Sequence, residues 1–126
     1  DSAKLSYTPP KQSHGMTLEF HKTHETLKLF LGALERPIRQ NQKNIIVTLT
    51  TQKEKQEFTA YLFEGGQRLL ASKELQEALL KALNNNETIT LICATYKTTI
   101  HPEHFKQNFS KLFHRPLKIP VEFTLN

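Results

Sequence analysis

The last nine residues before the C-terminal Asn126 alternate without interruption: Leu117, Ile119, Val121, Phe123 and Leu125 fall on one side, Lys118, Pro120, Glu122 and Thr124 on the other. A period of two fits only an extended strand with one face buried and the other wet. Pro120 lacks the N–H that a ladder needs, so the alternation predicts an edge strand, or one interrupted at that point. A chain that ends this way must build a sheet, and it needs other segments to cover the apolar side.

Those segments are legible upstream. Met16–His21 alternates as a short strand. Thr23 is placed to cap a helix whose apolar face is Leu27, Phe30, Leu31 and Leu34, stopped by Pro37. Asn44–Thr51 is β-branched and strand-like. Gln56–Phe63 reads two ways. Its aromatics favour a strand hairpinned through Gln52–Lys55, while Thr51 with Glu54 makes a capping box and Phe58, Tyr61 and Leu62 share helical spacing. After Gly65-Gly66 comes a helix with a stripe of Leu75, Ala78, Leu79, Ala82 and Leu83, ending at Asn84-Asn85-Asn86. Thr88 to about Tyr96 is apolar on both faces and predicts a central strand. His101-Pro102 opens a third helix carrying Phe105, Phe109, Leu112 and Phe113.

The expected fold is therefore α+β: a single domain over 16–126 with a mixed or antiparallel sheet, helices packed mainly on one face, and the order β-α-β-β-α-β-α-β. Its first six elements follow the ferredoxin-like order. Residues 1–15, with Pro9-Pro10 and scattered Ser, are expected to be a flexible arm or linker. The chain begins at Asp1 rather than Met, as expected of a mature product or an excised segment. No apolar run approaches the ~20 residues that span a bilayer as a helix.

Within these elements few residues point to chemistry. Cys93 is alone and sits in an apolar run, where Cys packs as a small hydrophobe. The acidic residues are Asp1 and eleven dispersed Glu, and no serine lies in a nucleophile elbow. Gly65-Gly66 lacks the further glycines or the Gly-Lys-Ser/Thr of a phosphate loop and reads as a turn. Two His-x-x-His pairs, His21/His24 and His101/His104, fall at expected strand-to-helix junctions and are outside candidates for four Zn²⁺ ligands. Six histidines in a polar chain produce such pairs by chance, and neither extends to His-Glu-x-x-His. No cofactor, metal site or enzymatic activity is expected.

Charge points to partners instead. The chain carries 17 Lys and Arg against 12 Asp and Glu, for a net charge of +5. From Thr88 onwards five basic residues stand against two acidic ones. Lys106, Lys111, Arg115 and Lys118 form a basic tail suited to phosphate contact. Phe20, Phe58, Tyr61 and Phe63 supply aromatics for stacking single strands, without the Arg/Lys-Gly-aromatic signature of RNA-recognition modules. Leu112–Ile119 resembles the helix-to-strand endings of bacterial clamp-loader docking domains over under a fifth of the chain, and no family assignment rests on so common a phrase. The leading expectation is a non-catalytic protein–protein docking module of a larger assembly, using an uncovered sheet face or the final edge strand at Lys118, Pro120 and Glu122. The alternative is a nucleic-acid-binding domain using the basic tail.

Overall fold

The computed structural model describes residues 2–103, 105–114 and 121–125. Among the described residues nine strands and two helices follow in the order β1 (Ala3–Tyr7), β2 (Thr17–Lys22), β3 (Leu27–Gly32), β4 (Asn44–Thr50), β5 (Lys55–Leu62), β6 (Arg68–Ala71), α1 (Lys73–Asn84), β7 (Ile89–Cys93), β8 (Tyr96–Ile100), α2 (Phe105–His114) and β9 (Val121–Leu125). The strands join one sheet, ordered β8-β7-β4-β5-β6-β3-β2-β1-β9. Every pairing is antiparallel except β1 with β9.

This overturns the ferredoxin-like expectation: the chain is a mostly antiparallel, curled sheet with two short helices. The decisive error lies at residues 23–36, where a strand replaces the expected helix. Leu27-Lys-Leu-Phe-Leu-Gly32 carries both periods at once. Read at period two, Leu27, Leu29 and Leu31 share a face, and the structure buries Leu29 and Leu31 completely. Thr23 caps no helix; its N–H bonds the Thr26 carbonyl at 2.9 Å and closes the turn between β2 and β3. Pairing on both sides, with β2 and β6, decides the segment against the helix propensity of its leucines.

Three further corrections follow from the same sheet. Residues 3–7, expected in the flexible arm, form β1, which buries Ala3 and Leu5 between β2 and β9. Residues 68–71, expected at the start of a helix, form β6. The apolar run from Thr88 is not one central strand. It is the first half of a hairpin that turns at Ala94 with φ of 52° and returns as β8.

At Lys55–Leu62 the strand reading holds. The residues of the supposed capping box build the hairpin turn: Thr51 Oγ1 accepts from the N–H groups of Lys53 and Glu54 at 3.2 and 3.3 Å. The helix after β6 also forms, with Ser72 as its cap, accepting from Leu75 N–H at 3.1 Å, and with Leu75, Leu79, Ala82 and Leu83 buried.

The inner face of the sheet carries the core. Leu5, Leu18, Leu29, Leu31, Val47, Leu69 and Leu91 line it, with α1 and Phe105 of α2 packed against them. β8 lies at one end of the strand order, yet it meets the chain that links β1 to β2. Lys97 N–H bonds the His14 carbonyl, Thr98 Oγ1 accepts from Met16 N–H at 2.7 Å, and the Tyr7 hydroxyl donates to the Thr99 carbonyl. Burial raises the Tyr7 phenol above its ordinary value and keeps it a donor. The sheet thus curls back until one edge is capped by residues 7–16. Among the described residues no helix is long and apolar enough to cross a membrane.

The strand assignment of β3 makes opposite demands on two leucines that a helix would bury unequally. Leu34 is 65% exposed and Leu29 fully buried. In urea unfolding, Leu29→Ala should cost about 2–5 kcal/mol and Leu34→Ala less than about 0.5 kcal/mol. A large loss at Leu34 and a small one at Leu29 would restore the helix.

Candidate functional site

With the core on one face, interest falls on what the other face presents. Cross-strand register sets Asn44, Tyr61, Leu70, Phe30, Glu19 and Ser6 in a single row across β4, β5, β6, β3, β2 and β1. All six are outward, because their sequence neighbours Ile45, Leu62, Leu69, Leu31, Phe20 and Leu5 are buried.

Along this row aromatic side chains make contact. Tyr61 and Phe63 meet edge to face at 5.3 Å, Phe63 lies 6.3 Å from Phe30, and His21 tilts against Phe30 at 4.8 Å. The Arg68 guanidinium sits 3.9 Å above the Phe30 ring, an arrangement worth roughly 0.5–1 kcal/mol where water has access. Tyr61 and Ile46 of the neighbouring strand remain 39% and 58% exposed.

Charges flank the row. Glu19 is held by Lys4 at 3.3 Å, His21 at 3.6 Å and Arg68 at 3.9 Å. Each contact is partly exposed and individually weak; the Glu19 carboxylate lies beside the Arg68 guanidinium that covers Phe30. His21 Nε2 is shielded from solvent and among the described residues has no acceptor within hydrogen-bond range, the Glu19 carboxylate standing at 3.6 Å. Burial pushes this imidazole below its ordinary pKa, the Glu19 carboxylate pulls it up, and the Arg68 and Lys4 cations push it down again.

Beside Tyr61 and Phe63 the face opens into a cleft of about 830 Å³, walled by the loop Pro37–Lys43 and the turn that joins β5 to β6. That turn is the place for Gly65-Gly66, with φ of 94° and 74°. A side chain at Gly66 would stand 2.3 Å from the Ile38 carbonyl oxygen. The close approach lets Ile38 N–H reach the Gly66 carbonyl at 2.7 Å. The double glycine therefore seats a loop, and no helix follows it directly.

The residues singled out from sequence are scattered by this fold. Phe20 turns inward to pack on Phe105 and Phe109, and Phe58 is partly buried against the core, so only Tyr61 and Phe63 of the four aromatics face outward. His21 lies within β2 and His24 in the turn that follows, neither at a helix start; His101 follows β8, where its Nδ1 approaches Thr88 Oγ1 at 3.4 Å, and His104 lies outside the described residues. Among the described residues no three His, Cys, Asp or Glu side chains gather as metal ligands. Lys106 and Lys111 are exposed on α2, while Arg115, Lys118 and Pro120 lie outside the described residues. Glu122 lies in register with Lys4 on β9, which ends the strand order. Cys93 is fully buried, and burial pushes its thiol up to about 11, far from the range of a reactive thiolate.

Phe30 and Arg68 were missed because both were placed in helices. The signal that finds Phe30 is the period-two reading of 27–32, which puts three leucines inside and leaves Phe30 opposite them; Arg68 comes beside it only through the pairing of β6 with β3. Comparison with protein-family models, with curated proteins and with solved structures yields no match.

His21 offers a direct test of this surface. Its lowered pKa means that the fold disfavours the imidazolium, so stability is complete above the unfolded value of about 6.5 and declines as pH falls through it. A ring titration by NMR should place the His21 midpoint below about 6.5, and His21→Gln should reduce the stability lost between pH 7 and 5.5. A midpoint at or above 6.5 contradicts the described packing.

Proposed function

We propose that this chain is a non-catalytic docking module that engages another protein through its outer sheet face. One observation carries the reading. The sheet has a filled inner face and an outer face on which Tyr61, Phe63 and Phe30 make successive ring contacts, with Arg68 over Phe30 and Ile46 exposed on the strand beside Tyr61. Aromatic and Arg side chains of this kind are the anchors around which protein interfaces concentrate their energy. The edge strand β9 offers a second means of engagement by strand addition.

The exposed Lys106 and Lys111 on α2 support a second reading, in which α2 contacts nucleic-acid phosphates. One experiment separates the two. The chain is immobilised, exposed to lysate with and without nuclease, and compared with an Ile46→Asp/Tyr61→Asp variant. Docking through the outer face predicts nuclease-resistant capture that falls about tenfold or more in the variant, as expected when interface anchors are replaced. Capture that is unchanged in the variant, or abolished by nuclease and by Lys106→Gln/Lys111→Gln, contradicts it.

A further inference from the structure

The cleft beside Tyr61 is built rather than incidental. Its loop is fastened at three points. The Tyr96 hydroxyl accepts from Arg36 N–H at 2.7 Å and donates to the Arg36 carbonyl, Ile38 bonds Gly66 and buries its side chain, and Leu62 N–H bonds the Lys43 carbonyl at 2.6 Å. Between these anchors Arg39, Gln40, Asn41, Gln42 and Lys43 are all exposed. A loop held this way keeps its cleft open in the free protein, so a ligand does not bear the cost of ordering it.

The lining has a definite chemistry. Tyr61 and Phe63 form an aromatic wall, Arg39 and Lys43 supply two cations against the single carboxylate of Glu64, and Gln40, Asn41 and Gln42 offer amides that both donate and accept. Such amides match the alternating N–H and C=O of a peptide backbone. Phosphates need donors alone, and the side-chain carbonyl oxygens of Gln40, Asn41 and Gln42 would face them as acceptors without a partner. About 830 Å³ lies within the roughly 300–1,000 Å³ of recognised ligand clefts.

We propose that the cleft between the Pro37–Lys43 loop and the β5–β6 turn holds an extended acidic peptide segment, which places an aromatic or aliphatic side chain against Tyr61 and Phe63 and its carboxylates against Arg39 and Lys43. This rests on the docking reading of the outer face and specifies the partner's chemistry there. The complementarity of charge selects the segment and speeds its encounter; the aromatic wall supplies the anchor.

Selection of displayed random dodecapeptides on the whole chain tests the inference. Enriched sequences should show an excess of Asp and Glu around one aromatic or aliphatic residue. A synthesised enriched peptide, followed by fluorescence anisotropy, should bind about tenfold more weakly to Arg39→Gln/Lys43→Gln and to Tyr61→Ala, and more weakly as salt rises. Lys43→Gln alone, at an exposed site outside any strand, serves if the double variant fails to fold. No enrichment, enrichment without acidic bias, or affinity indifferent to Arg39 and Lys43 overturns the proposal. So does a dT15 oligonucleotide that binds the same three residues more tightly than the peptide. Peptides that depend on Ile46 but not on Arg39 or Lys43 would overturn it while leaving the docking reading in place.

Discussion

Every strand of this sheet must send alternate side chains to opposite faces, and the chain uses that constraint to separate two kinds of surface. Leu5, Leu18, Leu29, Leu31, Leu69 and Leu91 all fall inward and are almost fully buried. Full burial of each contributes roughly 1.5–3 kcal/mol, so shifting any one strand by a residue would exchange its whole apolar set for its outward one. The outward set can therefore be chosen for other purposes without weakening the core. That freedom is what permits Phe30, Tyr61 and Phe63 to gather on the exposed side.

The same constraint shapes the sheet as a whole. Two helices provide the inner cover, and the sheet completes its enclosure by curling until β8 meets residues 7–16. Thr98, polar and almost wholly buried, is satisfied at this seam by the Met16 amide, as a buried hydroxyl must be. The seam caps one edge of the sheet, and the other ends in β9. On the outer side, Glu19 gathers Lys4, His21 and Arg68 beside Phe30, and the Gly65-Gly66 turn seats the loop that walls the cleft. Surface and core are coupled through the strands they share.

How far this was readable from sequence depended on whether a segment carried one period or two. Asn44–Thr50 and the helix with its Leu75/Leu79/Leu83 stripe each carry a single clear signal, and both form. Leu27–Gly32 satisfies both periods, and only its pairing with Phe20 on one side and Leu70 on the other decides it, a tertiary fact with no local trace. β6 is four residues long and runs directly into the Ser72 cap, so its alternation was absorbed into the helix that follows. β1 was hidden by the Pro9-Pro10 and serine composition that follows it. The candidate surface inherited these errors. Tyr61 and Phe63 were visible as aromatics, but their neighbours Phe30 and Arg68 come from strands that had been read as helix, so the row that joins them could not be drawn.

The central claim is that apolar side chains fill one face of the sheet while aromatic and aliphatic ones stand open on the other. A soluble gadolinium relaxation agent tests it residue by residue on an isotope-labelled chain. The account predicts attenuation with a period of two along β4 and β5: strong at Ile46 and Tyr61, weak at Ile45, Val47, Ala60 and Leu62, with Leu29 and Leu31 as protected as the core of α1. Protection of Ile46 and Tyr61 equal to that of Val47 and Leu62 would mean that a second layer covers the outer face, and would contradict the account.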